Sequence, residues 1–369
     1  MKTIGIFTSD HGHGSISQAI TEKIIQHTKN KYKIKTFVYD EPFNLLYDYM
    51  YKLAPGLFGL PFNMTSKLME KNDTTKQAIE LWFTLNNENK IREFIEKNDI
   101  DLAISAYLGC NPVLEKIQEE KGIPLINFVA DPKTVHPLSI SEKAKINFVF
   151  DDFIIEKHKK KNMIKSGWFV RSKFEEEYQK NEIRKKLNIN DDLTILVSSG
   201  SEGSSTILKI LPSIINCSKK VNFIIACGKN KFLYNNVVGI KSSLDKLSSS
   251  EAKIIPVAYT KDMHLYMQAA DLVIGKAGPN TLFESVACET PFFAITHIHG
   301  QEDGNLEVIN EYKLGIAEEN AKKANQKLQK LINNPKKLKL FSKSIKKLKK
   351  YNQNSINILL KEIDRLIKA

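Results

Sequence analysis

Three glycine-bearing loops in the second half of the chain carry the residue types that anion and sugar recognition need. One is Ser198-Ser199-Gly200-Ser201-Glu202-Gly203-Ser204. Small residues there let backbone N–H groups approach a negative ligand, and the helix that follows presents its positive end. Any tight strand-to-helix turn uses the same residues, so this loop alone does not separate binding from plain geometry. The second is Gly275-Lys276-Ala277-Gly278-Pro279-Asn280-Thr281. A proline suited to the first helical position, a glycine and a lysine converge on one helix start, which fits a diphosphate. Glu284 follows one turn later, where a carboxylate can accept paired hydrogen bonds from ribose hydroxyls; the bland alternative is a solvated helix face. The third is Gly300-Gln301-Glu302-Asp303-Gly304-Asn305. Its amide and carboxylate groups suit sugar hydroxyls, while Asn305 reads as the N-cap of the next helix.

Loops of this kind bind ligands when they leave the carboxyl ends of parallel strands, and the surrounding pattern supplies such strands. In the first half, strands are expected at Thr3–Thr8, Lys33–Tyr39, Leu102–Ser105, Pro124–Val129, Phe148–Phe150 and Trp168–Val170. Most are separated by helical stretches, as where Ile16, Ala19, Ile20 and Ile24 recur at helical spacing. The second half repeats the rhythm, with strands at Leu193–Ser198, Asn222–Cys227, Lys253–Val257, Leu272–Ile274 and Phe292–Ile295 and helices at Ser205–Ile215 and Thr281–Cys288. The class is α/β, with two doubly wound parallel sheets. The chain of 369 residues is long enough for two cores. The domains expected are 1–172, 173–325 and a lysine-rich helical tail, 326–369.

Composition narrows the function. The net charge is +13, but residues 321–350 hold twelve lysines and no acid, so the body of the chain is close to neutral. That distribution, without a recognised motif, argues against nucleic acid. The tail reads either as a closing helix with a solvated basic face or as a contact for anionic lipid. The 42–69 stretch is dense in aromatics, Leu and Met, and reads as core or as a membrane-facing lip. No apolar run spans a bilayer, and the first residues do not read as a signal peptide. Cys110, Cys217, Cys227 and Cys288 lack metal or redox spacing and read as reduced thiols of a cytosolic protein.

Taken together, several segments resemble glycosyltransferase family 28, which includes diacylglycerol glycosyltransferases and the lipid II-forming N-acetylglucosamine transferase. The C-terminal resemblance runs over roughly residues 195–315. It is carried by Val257-Ala258-Tyr259-Thr260-Lys261-Asp262-Met263, by Lys276 through Thr281 with Glu284, and by Gly300 through Asn305. The first half is similar more thinly. Ser9-Asp10-His11-Gly12-His13 resembles the family's Gly-rich loop ending in His, Ala130-Asp131 through His136-Pro137 its Asp-containing loop, and Gly167-Trp168-Phe169-Val170-Arg171 the element closing the first domain. His11, His299 and Phe169 depart from the usual pattern, which bears on the sugar and acceptor more than on the reaction.

The resemblance implies the GT-B fold, two Rossmann-like domains facing across a cleft, with a C-terminal helical tail. It implies an inverting transferase that moves a hexose or N-acetylhexosamine from a UDP-sugar to a lipid such as diacylglycerol. The place implied is the inner face of the plasma membrane, as a peripheral protein. Uracil falls near Tyr259 and Met263, ribose on Glu284, and the donor sugar on Gln301 and Glu302. The diphosphate falls on the Gly278–Thr281 helix start, with Gly200, Ser201 and Arg171. His13 is the expected base, with Asp131 as competitor or orienting partner and Gly12 and His136 on the acceptor side. Neither metal nor cofactor is implied; the UDP-sugar is a substrate. Two alternatives stay open: a soluble acceptor, and a catalytically silent UDP-sugar-binding protein.

Overall fold

A computed structural model describes residues 1–9, 14–39, 66–69, 72–159, 162–198, 205–246 and 250–368. Its first part runs β1 (Thr3–Ser9), α1 (Gly14–Thr28), β2 (Lys33–Tyr39), α2 (Asp73–Lys97), β3 (Leu102–Ser105), α3 (Asn111–Lys121), β4 (Leu125–Phe128), β5 (Ile146–Val149), α4 (Asp152–His158), β6 (Met163–Lys165) and α5 (Ser172–Glu175). The second part runs α6 (Lys180–Lys186), β7 (Leu193–Ser198), α7 (Ser205–Ile215), β8 (Val221–Ala226), α8 (Lys231–Leu244), β9 (Ala252–Val257), α9 (Met263–Ala269), β10 (Leu272–Lys276), α10 (Pro279–Ala287), β11 (Phe292–Thr296), α11 (Asp303–Glu311) and β12 (Gly315–Ala317). The helices α12 (Ala321–Asn333), α13 (Ser342–Gln353) and α14 (Ser355–Lys368) follow.

The chain forms two units. The first comprises Met1–Ser172, Ile298–Gly304 and Lys350–Ala369; the second comprises Lys173–His297 and Asn305–Lys349. The expected tail of 326–369 therefore divides between the units after Lys349.

In the first unit the strand order is β2-β1-β3-β4-β5-β6, with every pair parallel. All seven residues of β1 are buried, as a central strand covered on both faces requires. One stripe of α1, with Ile16, Ala19, Ile20 and Ile24, is buried in the core. The order of strands reverses between β1 and β3, so the binding crevice of this unit lies beyond their carboxyl ends. The last helices belong to this unit: Asn352 Oδ1 accepts from the Trp168 N–H at 3.0 Å, Ser355 Oγ donates to the Ser166 carbonyl, and Lys31 pairs with Asp364 at 2.7 Å.

One expectation fails here. Trp168–Val170 is not a strand. The three residues are buried, but they form a loop beside Asn352, and the sheet's edge strand is Met163–Lys165. Burial of a short apolar run signalled core, not sheet pairing.

In the second unit the order is β12-β11-β10-β7-β8-β9, again all parallel. This is the Rossmann arrangement, with its switch point between β7 and β10. Gly275 is needed where these strands meet, since a Cβ there would lie 2.6 Å from the Ser198 carbonyl oxygen. The core includes Val197, Phe223, Ile274 and Phe293, closed over by Leu328 and Leu331 of α12 and by Leu338.

Candidate functional site

In the second unit the donor-type residues gather at the carboxyl end of β10. The strand runs on through Lys276, two residues beyond the expected end. Ala277 N–H then donates to the Thr296 carbonyl at 2.8 Å and Gly278 N–H to the Lys276 carbonyl at 2.7 Å. Gly278 is the N-cap of α10 and Pro279 its first residue, which fixes the helix start without needing an N–H. Ala277 and Gly278 are thus engaged and Pro279 has no N–H. The positive end of the α10 dipole lies at Asn280 and Thr281. Lys276 is half-buried beside this turn.

Glu284 is 9% exposed, so it does not belong to a solvated helix face. Its neighbours Leu282 and Phe283 are fully buried. Asn305 requires a correction. It does not cap a helix, because α11 already begins at Asp303. Its side chain is 1% exposed, and Nδ2 donates to the Ala277 carbonyl at 2.7 Å. It ties α11 to the turn that precedes α10.

Tyr259 and Met263 lie after β9. Tyr259 is 58% exposed, with Lys229 Nζ 5.4 Å from its ring centroid. Met263 opens α9 and is half-buried. An exposed ring under a cation offers a face on which a flat base can stack. Nothing in the spacing of the sequence linked Lys229 to Tyr259; their meeting depends on adjacent β8 and β9.

In the first unit the segment Ile298–Gly304 folds back on itself. Glu302 Oε2 accepts from the Ile298 N–H at 2.7 Å, and Asp303 Oδ1 accepts from the Gly300 N–H at 2.8 Å. Glu302 is 4% exposed, while Gln301 is half-buried. Gly304 N–H donates to Thr134 Oγ1 at 2.7 Å, and a Cβ on Gly304 would come within 2.5 Å of Lys133 Cβ. Thr134 and Lys133 lie within the Asp-containing stretch Ala130–Pro137 but carried no role in the sequence, since their contact with Gly304 joins segments distant in the chain.

Asp131 is buried in the same unit. Burial, and secondarily the negative charge of Glu302, push its carboxyl up to about 7. It is therefore poised between acid and base near neutral pH. His136 is also buried, and burial pushes it down to about 4, so it is neutral. Its Nδ1 accepts from the Leu138 N–H at 3.3 Å and caps the short turn Pro137–Ser139. Arg171 is half-buried near the end of this unit. His13, Gly12, Gly200 and Ser201 lie outside the described residues, as does most of the aromatic stretch 42–69. Among the described residues, no helix is long and apolar enough to cross a membrane.

Two parallel Rossmann-like sheets, the second with a helix start suited to phosphate at its switch point, make up the GT-B fold. Residues 194–357 match the glycosyltransferase family 28 C-terminal domain; the chain is a glycosyltransferase that carries this domain. A processive diacylglycerol β-glucosyltransferase of Bacillus licheniformis is 24% identical over 98% of this chain and 94% of its own length. Monogalactosyldiacylglycerol synthase 3 of Arabidopsis thaliana is 32% identical over 48% of this chain and 37% of its own. The fold matches MurG of Acinetobacter baumannii with a TM-score of 0.63, 15% identity and coverage of 99% of this chain and 100% of that one. It also matches a UDP-GlcNAc 2-epimerase of Neisseria meningitidis bound to UDP-GlcNAc, with a TM-score of 0.60, 14% identity and coverage of 99% and 100%.

Proposed function

We propose that the protein is an inverting, metal-independent transferase that moves a hexose or N-acetylhexosamine from a UDP-sugar to a lipid acceptor such as diacylglycerol. The observation that carries the donor half is the turn from Lys276 to Glu284: a lysine, a helix start and a buried carboxylate one turn on. The lipid half is supported by relatives whose names state a diacylglycerol acceptor or product.

The acceptor hydroxyl oxygen attacks the anomeric carbon from the face opposite the diphosphate. The new C–O bond forms as the bond to the β-phosphate oxygen breaks, so the configuration inverts and UDP leaves. The hydroxyl proton passes to His13, with Asp131 orienting it or taking the proton itself. The leaving diphosphate gathers charge at the α10 start, where the amides of Asn280 and Thr281, the helix dipole and Lys276 oppose it, with Ser201 and Arg171 as further donors. That arrangement gives the charge a counterpart without a metal. Glu284 takes the ribose hydroxyls, Tyr259 and Met263 the uracil, and Gln301 the sugar. Glu302 shapes the 298–304 loop as well as facing the sugar.

The test is transfer itself. Purified protein with lipid dispersions and radiolabelled UDP-glucose, UDP-galactose or UDP-N-acetylglucosamine should yield labelled lipid in the presence of a chelator. Absence of labelled lipid with every donor overturns the lipid assignment. Indifference of the melting temperature to UDP overturns the donor assignment. Retained transfer in His13→Ala and Asp131→Ala removes both residues from proton transfer.

A further inference from the structure

The second unit carries a cationic surface that the transfer reaction does not use. Between α12 and α13 the chain makes a short helical turn, Pro335–Phe341. Leu338 is 7% exposed and belongs to the unit's core, as Ile345 and Leu348 are buried from the next helix. These anchors fix the orientation of the rest. Lys336, Lys337, Lys339, Lys343 and Lys347 are all exposed, and Leu340 stands among them at 77% exposure.

The charge is uncompensated nearby. Residues 321–350 contain no acid. The neighbouring lysines that do find acids are Lys346 and Lys349, which reach Glu289, with Lys349 also 3.5 Å from Glu177. The other five form no ion pair among the described residues. Five exposed lysines on one turn and the helix after it, with an exposed leucine between them in sequence, have the two components of interfacial attachment: attraction to surface phosphates, and an apolar side chain to enter just beneath them. A polymer of phosphates alone would use the cations and leave the leucine in water.

The geometry points to the turn 335–347 as a docking surface for an anionic phospholipid bilayer. It would hold the enzyme where a lipid acceptor resides, and so rests on the proposed lipid acceptor. The experiment is partition of the full chain onto vesicles of phosphatidylcholine with and without phosphatidylglycerol. The chain should bind the anionic vesicles more tightly, and salt should weaken that binding. Each lysine neutralised should weaken it about fivefold, so Lys336→Gln/Lys337→Gln/Lys339→Gln together should lose about a hundredfold. Leu340→Ser should lose about tenfold, from one leucine left unburied. The control Lys185→Gln/Lys186→Gln, an exposed pair on α6, should change little.

Unchanged partition in the triple variant overturns the proposal. So does an equal loss in the control pair, or tighter binding of single-stranded RNA through the same three lysines. Transfer to a detergent-dispersed acceptor should be unaffected by all these variants, which shows that they are folded. Failure of transfer with intact, lysine-dependent partition would sink the lipid-acceptor reading and leave the surface standing. Intact transfer with lysine-independent partition would do the reverse.

Discussion

Replacing Asp131 by Asn tests a buried carboxyl held well above its ordinary value. In the folded chain the carboxyl is pushed from 3.8 to about 7, first by burial and then by Glu302. Unfolded, it regains its ordinary value. Between those two pH values the folded chain keeps a proton that the unfolded chain has released, so the stability of the first unit falls as pH rises from about 4 to 7. Three pH units correspond to at most about 4 kcal/mol. Asn has nearly the same shape and no charge, so Asp131→Asn should be more stable than the parent at pH 8 by about 2–4 kcal/mol. At pH 4 the two should be nearly equal. For a unit of this size each kcal/mol moves the midpoint by about 2–4 °C, so the pH 8 difference should be plain in calorimetry. Activity should move the other way, with transfer falling by about a hundredfold or more if the carboxylate assists proton removal. The same melting difference at pH 4 and pH 8 would refute the reasoning, because a group that does not titrate in that window cannot produce a pH-dependent gain.

Other substitutions probe the neighbouring elements. Glu302→Gln removes the charge that helps raise Asp131, so the acid limb of the pH–rate profile should shift to lower pH. Glu284→Gln should weaken UDP binding by about tenfold or more, as expected when a charge-assisted hydrogen bond becomes a neutral one; calorimetric titration with UDP measures it. Asn305→Ala leaves the buried Ala277 carbonyl without its donor and should cost about 1–3 kcal/mol, read from denaturant unfolding of the second unit. Gly275→Ala places a methyl group 2.6 Å from the Ser198 oxygen. It should separate β7 from β10 and lower both stability and UDP affinity, where a neutral effect would show that the strands can part cheaply.

Much of this architecture was legible because both sheets are parallel and their central strands are buried. Lys33–Tyr39, Leu102–Ser105 and Leu193–Ser198 are strands with the expected bounds, as runs of β-branched residues between turns allow. Short edge strands carried less signal: Gly315–Ala317 is three half-buried residues and was not foreseen. Gly300–Asn305 reads as a loop, yet α11 already starts at Asp303, with Gly304 in its first turn packed closely against Thr134. That displaced the expected cap from its place and gave Asn305 an interior bond instead. The types at Glu284 and Asp131 were readable as chemistry, but their burial was not, since burial is set by neighbours distant in sequence.

The first unit is discontinuous in sequence, and this bears on how the molecule is made. Its β-strands end by Lys165, but Trp168 and Ser166 await Asn352 and Ser355, and Lys31 awaits Asp364. During synthesis, domains fold as their residues emerge. The second unit is nearly complete once Lys349 has appeared. The first must wait for residues 350–369, with its sheet already formed and its closing helix still missing. The amino-terminal half is thus the last to finish, and a chain interrupted short of α14 should leave that half to chaperones and proteases while the second unit stands folded.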